Sequence, residues 1–270
     1  VTLKDILSDG IPKFKEYGNL TLSQIATDRE GDGSIFYKMN EDGYRSRSLK
    51  EKSDFNILCL GCSWTMGVGV NDKDSWPTII SNMMQEKIGK ECAVFNYSMY
   101  GISPSFISKI LYKITQSEFI PDLLLIMWPG FSRRDYLNDL GEFKKIGGFR
   151  YAHENDVVWK NNPEDLLFIE LRNDNQDSMI FWEAYKLSEM ISKFYNIKTY
   201  HTVAGYYYEI FKKLNLYDTI DSSTFFMPEN CYKNDFMARD KEHPGPGWHR
   251  KFAENFFKFI TNENSIQTMG

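Results

Sequence analysis

Apolar positions along the chain fall into short runs separated by amphipathic stretches, and the two kinds alternate. Phe55, Asn56, Ile57, Leu58, Cys59 and Leu60 form a mostly apolar run closed by Gly61, the pattern of a strand buried on both faces. A helix is predicted from Trp76 to Ile88, with Ser75 placed to cap it and Pro77 suited to its first turn. Ala93 to Tyr97 reads as a second strand. Pro104 to Gln116 reads as a second helix, carrying Ile107, Ile110, Leu111 and Ile114 on one face. Asp122 to Trp128 (D-L-L-L-I-M-W) is the clearest strand pattern in the chain. Further on, Met179 to Tyr195 predicts a helix, Ile197 to Val203 a strand, and Tyr206 to Leu214 a helix. Trp248 to Ile260 closes the series as an amphipathic helix with Phe252, Phe256, Phe257 and Ile260 on its apolar side.

Strand and helix in alternation argue for an α/β fold, a parallel sheet covered on both faces. Residues 1–53 are polar and broken by glycines, so they read as an N-terminal extension to a main domain spanning 54–262. Within that domain, residues 130–178 are irregular and charged and look like a long insertion. Residues 263–270 form a C-terminal tail. No repeat of 20–50 residues is evident, which removes solenoids and propellers. In sheets of this kind function sits in the loops at the carboxyl ends of the strands.

Composition narrows the classes. The 270 residues hold 42% hydrophobic and 26% charged side chains, an ordinary balance for a chain with a core. Net charge is -5, with acidic and basic residues dispersed, so the basic stripe of a nucleic-acid binder is missing and no nucleic-acid partner is expected. Four cysteines (Cys59, Cys62, Cys92, Cys231) are too few for a disulfide scaffold, and reduced thiols are expected. No apolar run is long enough to span a membrane. Val1 to Asp5 lack a basic segment leading into an apolar one, so a soluble, cytoplasmic protein is expected, a leader removed ahead of Val1 also being compatible. Aromatics at 16% fit either a thick core or a stacking cleft.

The unusual residues cluster in the predicted loops. After the first strand comes G-C-S-W-T-M-G, with Ser63 in a glycine-flanked turn; after the second, N-Y-S-M-Y-G from Asn96 to Gly101. Trp128 to Arg134 (W-P-G-F-S-R-R) follows the third, and Asp240 to Pro244 (D-K-E-H-P) precedes the last helix. A serine hydroxyl needs an adjacent base to act as a nucleophile. His243 is the side chain suited to accept its proton near neutral pH, and Asp240, three residues earlier, can fix the ring's tautomer and orientation. Gly101 permits positive φ and close backbone approach, so its N–H can face the same oxyanion as that of Ser63. A donor of this kind is worth about 2.7–4 kcal/mol in the transition state. Each feature alone also has a plain reading: a turn serine, a surface Asp/His pair, a turn glycine.

The order G-x-S, then N-x-x-x-x-G, then D-x-x-H-P resembles the SGNH (GDSL-type) hydrolases, over roughly Asp54 to Thr261. It is also similar to a subset, frequent in bacteria and phages, with N-x-x-G-(F/Y)-R upstream, here Asn40, Gly43, Tyr44 and Arg45. The resemblance implies a flavodoxin-like three-layer α/β/α fold. It further implies Ser63 as nucleophile, His243 as base, Asp240 as its orienter, and the N–H groups of Ser63 and Gly101 in the oxyanion hole. Two blocks depart from the family pattern. Cys62 stands where the first block has Asp, which is not the triad acid. In the third block, normally G-x-N-D, Gly130 falls about where an oxyanion-donating Asn is expected, a loss of roughly 10²–10³ in rate unless replaced. Asn96, Ser132 and Arg133 are the candidate replacements.

The expected activity is therefore hydrolysis of a carboxylic ester through a Ser-His-Asp acyl-enzyme, without metal or organic cofactor. The substrate expected is a small or glycan ester, with a lean toward carbohydrate O-acetyl or other short-acyl groups. Trp128, Gly130 and Arg133 are expected to border the substrate; as an alternative to the carbohydrate or short-acyl reading, Arg133 and Arg134 could instead recognise an anionic group on it. Alternatives are a catalytically weak domain that binds a glycan or partner, and an acyltransferase using the same acyl-enzyme. Other motifs carry less. Cys59 lies inside the strand, so C-L-G-C is not expected to be a redox pair. No phosphate-binding glycine loop is present. His249 is expected to cap or pack at the last helix rather than bind metal.

Overall fold

A computed structural model describes residues 35, 37–137, 143–146, 173–204, 216–228, 238 and 243–261. The first strand, β1 (Phe55–Gly61), lies second from one edge of a five-stranded sheet, between β2 (Cys92–Asn96) and β3 (Leu123–Trp128). Beyond β3 come β6 (Lys198–Val203) and the two-residue edge strand β7 (Phe225–Phe226), in the order β2-β1-β3-β6-β7. Every pair in this sheet is parallel. That order is the flavodoxin-like one, in which the chain reverses its direction of winding between β1 and β3. Right-handed crossovers in opposite directions place successive helices on opposite faces. Accordingly α2 (Trp76–Ile88) packs with α5 (Pro246–Ile260), and α3 (Pro104–Thr115) packs with α4 (Asp174–Phe194). The expected three-layer α/β/α class is the observed one.

β1 and β3 are buried along almost their whole length, which is why their sequences are continuous apolar runs rather than alternating ones. Helix starts follow local chemistry. Pro104 occupies the first turn of α3 and the Ser103 hydroxyl accepts from the Phe106 N–H at 3.1 Å. Asn173 caps α4 through Gln176 N at 2.8 Å, and Asp174 and Asp177 suit its N-terminal dipole. This cap starts α4 five residues before the predicted Met179.

α2 departs from expectation in its capping. Ser75 holds the N-cap position, but its hydroxyl donates to the Asp72 carbonyl at 2.8 Å and caps nothing in the helix. The Trp76 N–H is instead accepted by Nδ1 of His249, 173 residues away on α5, at 3.2 Å. So His249 does pack in the last helix, and it caps another one.

Aromatic side chains form core. Trp76, Trp128, Tyr44, Tyr97, Tyr185 and Phe252 are among the largest fully buried residues. Trp76 meets Phe252 and Phe256 edge-on at 5.4 and 6.0 Å, sealing α2 to α5. The stretch expected to be irregular from 130 to 178 contains an antiparallel hairpin, β4 (Arg134–Leu137) with β5 (Phe143–Ile146), and the start of α4. The predicted helix Tyr206–Leu214, Cys231, the tail 263–270, residues 1–34 and the rest of the insertion lie outside the described residues. None of the described helices is long and apolar enough to cross a membrane.

Candidate active site

Ser63 is the first residue of α1 (Ser63–Met66), a single turn that begins two residues after β1 ends. The turn is tight because its carbonyl accepts both Gly67 N and Val68 N at 3.0 Å, with Gly67 in the left-handed region at φ 75°. Gly61 has a steric reason to be glycine. A Cβ there would stand 2.2 Å from Thr65 Oγ1 and 2.9 Å from the Met127 carbonyl of β3. Ser63 itself is 5% exposed. Among the described residues neither its hydroxyl nor its N–H has a hydrogen-bond partner.

The loop after β2 is tied to the same place. Tyr97 N donates to Cys59 O and Met99 N to Gly61 O, both at 3.0 Å, carrying the loop alongside the end of β1. Gly101, two residues on, has φ 68°, the conformation its type allows. Its N–H likewise has no partner among the described residues. Asn96 is used differently: its amide donates to the Thr65 carbonyl at 2.8 Å, fixing the Ser63 turn from below.

His243 is half-buried, and its carbonyl accepts from Ala238 N at 2.6 Å. It stands three residues ahead of α5, whose Trp248 meets Trp64 edge-on with ring centres 5.1 Å apart. Trp64 is the neighbour of Ser63 in the chain. The α5 entrance and the Ser63 turn therefore share the carboxyl end of the sheet, with no hydrogen bond between Ser63 and His243. Asp240 lies outside the described residues.

Behind this end sits His249, fully buried. Burial above all, then the nearby charges of Arg45 and His243, lower its pKa to about 3, so it is neutral. Its Nε2 lacks a partner in hydrogen-bonding geometry and faces the Pro244 carbonyl.

The upstream N-x-x-G-Y-R segment turns out to be a brace for the same turn. Asn40 Oδ1 accepts Asp42 N and Tyr44 N, at 3.1 and 3.0 Å, and its amide donates to Arg47 O and Tyr97 Oη. The turn so formed buries Arg45, 3% exposed, which donates to the carbonyls of Met66, Gly67 and Val70 at 3.1, 2.6 and 3.0 Å. One guanidinium thus closes the loop that leaves the Ser63 turn. Burial pushes the Tyr97 phenol up, with Asp42 adding to it.

After β3 the placements diverge from expectation. Trp128 is fully buried, and its indole N–H donates to Nδ1 of His201 at 3.2 Å, so it offers no surface to a substrate. Because an indole can only donate, His201 Nδ1 is unprotonated and Nε2 carries the hydrogen toward Glu189, 2.8 Å away. Burial lowers the His201 pKa, and the hydrogen bond from His201 lowers that of Glu189. This buried Trp–His–Glu chain was not visible in the sequence, where His201 is one letter inside a strand.

Gly130 is buried, its carbonyl accepting from Arg133 N at 3.1 Å. Ser132 is half-buried. Arg134 pairs with Asp177 of α4 and donates to Phe131 O at 2.8 Å. Arg133 is 7% exposed, and its Nε and Nη1 are enclosed without partners. Among the described residues no group of His, Cys, Asp and Glu could hold a metal ion.

No family model matches the chain, and no curated protein matches it. Among solved structures it is similar to the psychrotrophic esterase EstA from Pseudoalteromonas sp., at 14% identity and TM-score 0.48, over 77% of this chain and 98% of the other. A second likeness is to the lipase Lip_vut3 from a goat rumen metagenome, at 15% identity and TM-score 0.49, over 76% and 97%. A third is to the acetyl xylan esterase Axe2 from Geobacillus stearothermophilus, at 14% identity and TM-score 0.43, over 77% and 95%. The fold stands on the sheet order above.

Proposed function

We infer that the protein is an SGNH-type serine hydrolase of carboxylic esters, acting through an acyl-enzyme on a small substrate with a short acyl group. Ser63 Oγ attacks the ester carbonyl carbon while His243 takes its proton. The N–H groups of Ser63 and Gly101 receive the oxyanion that forms. Collapse of the tetrahedral intermediate expels the alcohol, which leaves with the proton from His243. Water, deprotonated by the same imidazole, then releases the acid and restores the serine. Asp240 is assigned to hold the His243 ring, as the D-x-x-H spacing suggests. The steps need no cofactor.

One observation carries this reading: two separate loops bring unpaired backbone donors to the exit of β1, and the entrance of α5 packs against the same turn. Free N–H groups are uncommon away from water, and two such donors on the loops that follow β1 and β2 would suit an oxyanion. A serine without a hydrogen-bonded base is compatible with this, since catalytic contacts often tighten only once substrate is bound. The test is turnover of a para-nitrophenyl acetate ester by the wild type and by Ser63→Ala, with a serine-directed phosphonate as a mass label. Loss of both turnover and labelling in the variant is expected. Equal rates in the two proteins refute the reading. In that case the second reading, a binding domain without turnover, is favoured by the glycine in the third block.

A further inference from the structure

Arg133 presents a physical anomaly in the described structure. An arginine side chain is charged at all ordinary pH and is rarely enclosed without a partner. Here the residue is 7% exposed, and Nε and Nη1 are sealed from solvent with no acceptor. Among the described residues, the hydrogen bond it makes is through its backbone N–H, to the Gly130 carbonyl. The neighbouring carboxylates are engaged elsewhere: Asp177 is paired with Arg134 and Asp135 is held by the Ser103 hydroxyl. Nη2 is not among the sealed atoms and has no partner among the described residues, so it is the point at which the group meets the exterior. An incoming acceptor meets the cation at Nη2, the corner shared by both edges of the guanidinium fork, while the sealed Nε and Nη1 leave its charge otherwise uncompensated.

Position adds to this. Arg133 follows β3, whose Met127 is in register with Gly61 of β1, two residues before Ser63. The unpaired cation thus belongs to the loop that neighbours the Ser63 turn, at the point where the winding of the sheet reverses. A buried charge without a counter-ion is unfavourable, and that cost is recovered only when an anion arrives. No residue of the described chain supplies it.

We propose that Arg133 is a specificity-determining residue that receives a carboxylate carried by the ester substrate, so that the preferred substrates are half-esters of dicarboxylic acids or esters of similarly charged acids. This rests on the ester-hydrolase reading for its chemistry, while the anion site itself stands on burial and missing partners.

The test compares para-nitrophenyl hemiglutarate with para-nitrophenyl valerate, which match in acyl length and differ in the terminal charge. In the wild type, kcat/KM is expected to favour the charged ester by about tenfold or more, and in Arg133→Gln the ratio is expected to fall to about one. Free glutarate is expected to raise the Tm of the wild type and of Ser63→Ala, and to leave that of Arg133→Gln unmoved. Arg133→Met, which removes the enclosed charge, is expected to melt above the wild type in the absence of ligand. A wild-type ratio near one, or a ratio unchanged in Arg133→Gln, overturns the proposal while leaving ester hydrolysis intact. Glutarate stabilisation that depends on Arg133, in a protein that turns over neither ester, upholds the anion site and refutes the hydrolase reading.

Discussion

The hydrogen bond between His249 and the first N–H of α2 makes a prediction that can be worked from the structure. The Trp76 N–H is one of the donors every helix leaves unsatisfied at its start, and here it is buried with Nδ1 of His249 as its acceptor. Replacing His249 by Leu removes that acceptor at similar volume and strands the N–H, a cost of about 1–3 kcal/mol. His249→Asn, whose Oδ1 can stand near the position of Nδ1, should recover most of it. Acid adds a second signature. Folded His249 titrates at about 3, whereas an unfolded histidine titrates near its ordinary value of about 6.5. Between those values the unfolded chain binds the proton and the folded one does not. Stability therefore falls as pH drops through this window, by up to about 1.4 kcal/mol per pH unit, or about 2 kcal/mol by pH 5. His201, lowered by burial, acts in the same direction, so the comparison must be with a variant that keeps it. Urea unfolding of wild type and His249→Asn at about pH 7 and about pH 5 isolates the effect, above the range where Glu189 and Asp221 begin to protonate. If the wild type loses no more stability than His249→Asn over that interval, the buried neutral cap is refuted.

Three further substitutions probe the frame of the site. Gly61→Ala drives a methyl into Thr65 and the β3 backbone; it should lower Tm and depress esterase turnover beyond the loss of folded protein, as read by activity per folded molecule. Arg45→Met removes a donor from three backbone carbonyls, of which that of Gly67 keeps the Val70 N–H, and should cost about 3–5 kcal/mol in urea unfolding, with Arg45→Lys recovering only part of it. Glu189→Leu leaves the His201 Nε2–H without an acceptor and should cost about 1–3 kcal/mol, whereas Glu189→Gln, which keeps a carbonyl oxygen, should cost less; equal costs would show that the hydrogen bond contributes nothing.

What could be read in advance was what depends on neighbours in sequence. Helix α2 runs from Trp76 to Ile88 as its pattern predicts, and β1, β2, β3 and β6 fall within a residue or so of their apolar runs. The positive φ that glycine permits at Gly101 is found there, at 68°. Tertiary partners were another matter. His201 and Glu189 are on different elements, and neither residue carries a pattern that points to the other. The R-D-Y-L and F-K-K-I strands of the hairpin pair in a stretch whose charges read as loop, and β7 is too short to leave a periodic trace. The burial of Arg133 without a partner runs against its type, since arginine is almost never fully buried unless paired.

The same division explains why the last helix matters to a site whose proposed nucleophile lies near the start of the domain. A parallel sheet delivers β1, β2 and β3 with their exits side by side, but it supplies no base, because the candidate imidazole comes from a segment that pairs with no central strand. Two contacts bring that segment in: Trp248 against Trp64 and His249 beneath Trp76. The first joins α5 to the turn at the β1 exit, the second to the start of α2. Both contacts are buried and demand particular ring orientations, so α5 can dock in few registers along α2. The proposed meeting of Ser63 with His243 is thereby set by aromatic packing in the layer behind the loops. On this view, the acid sensitivity of the His249 cap and any decline in turnover below neutral pH have separable origins. The first should persist in Ser63→Ala, for which the proposed mechanism leaves no turnover to lose.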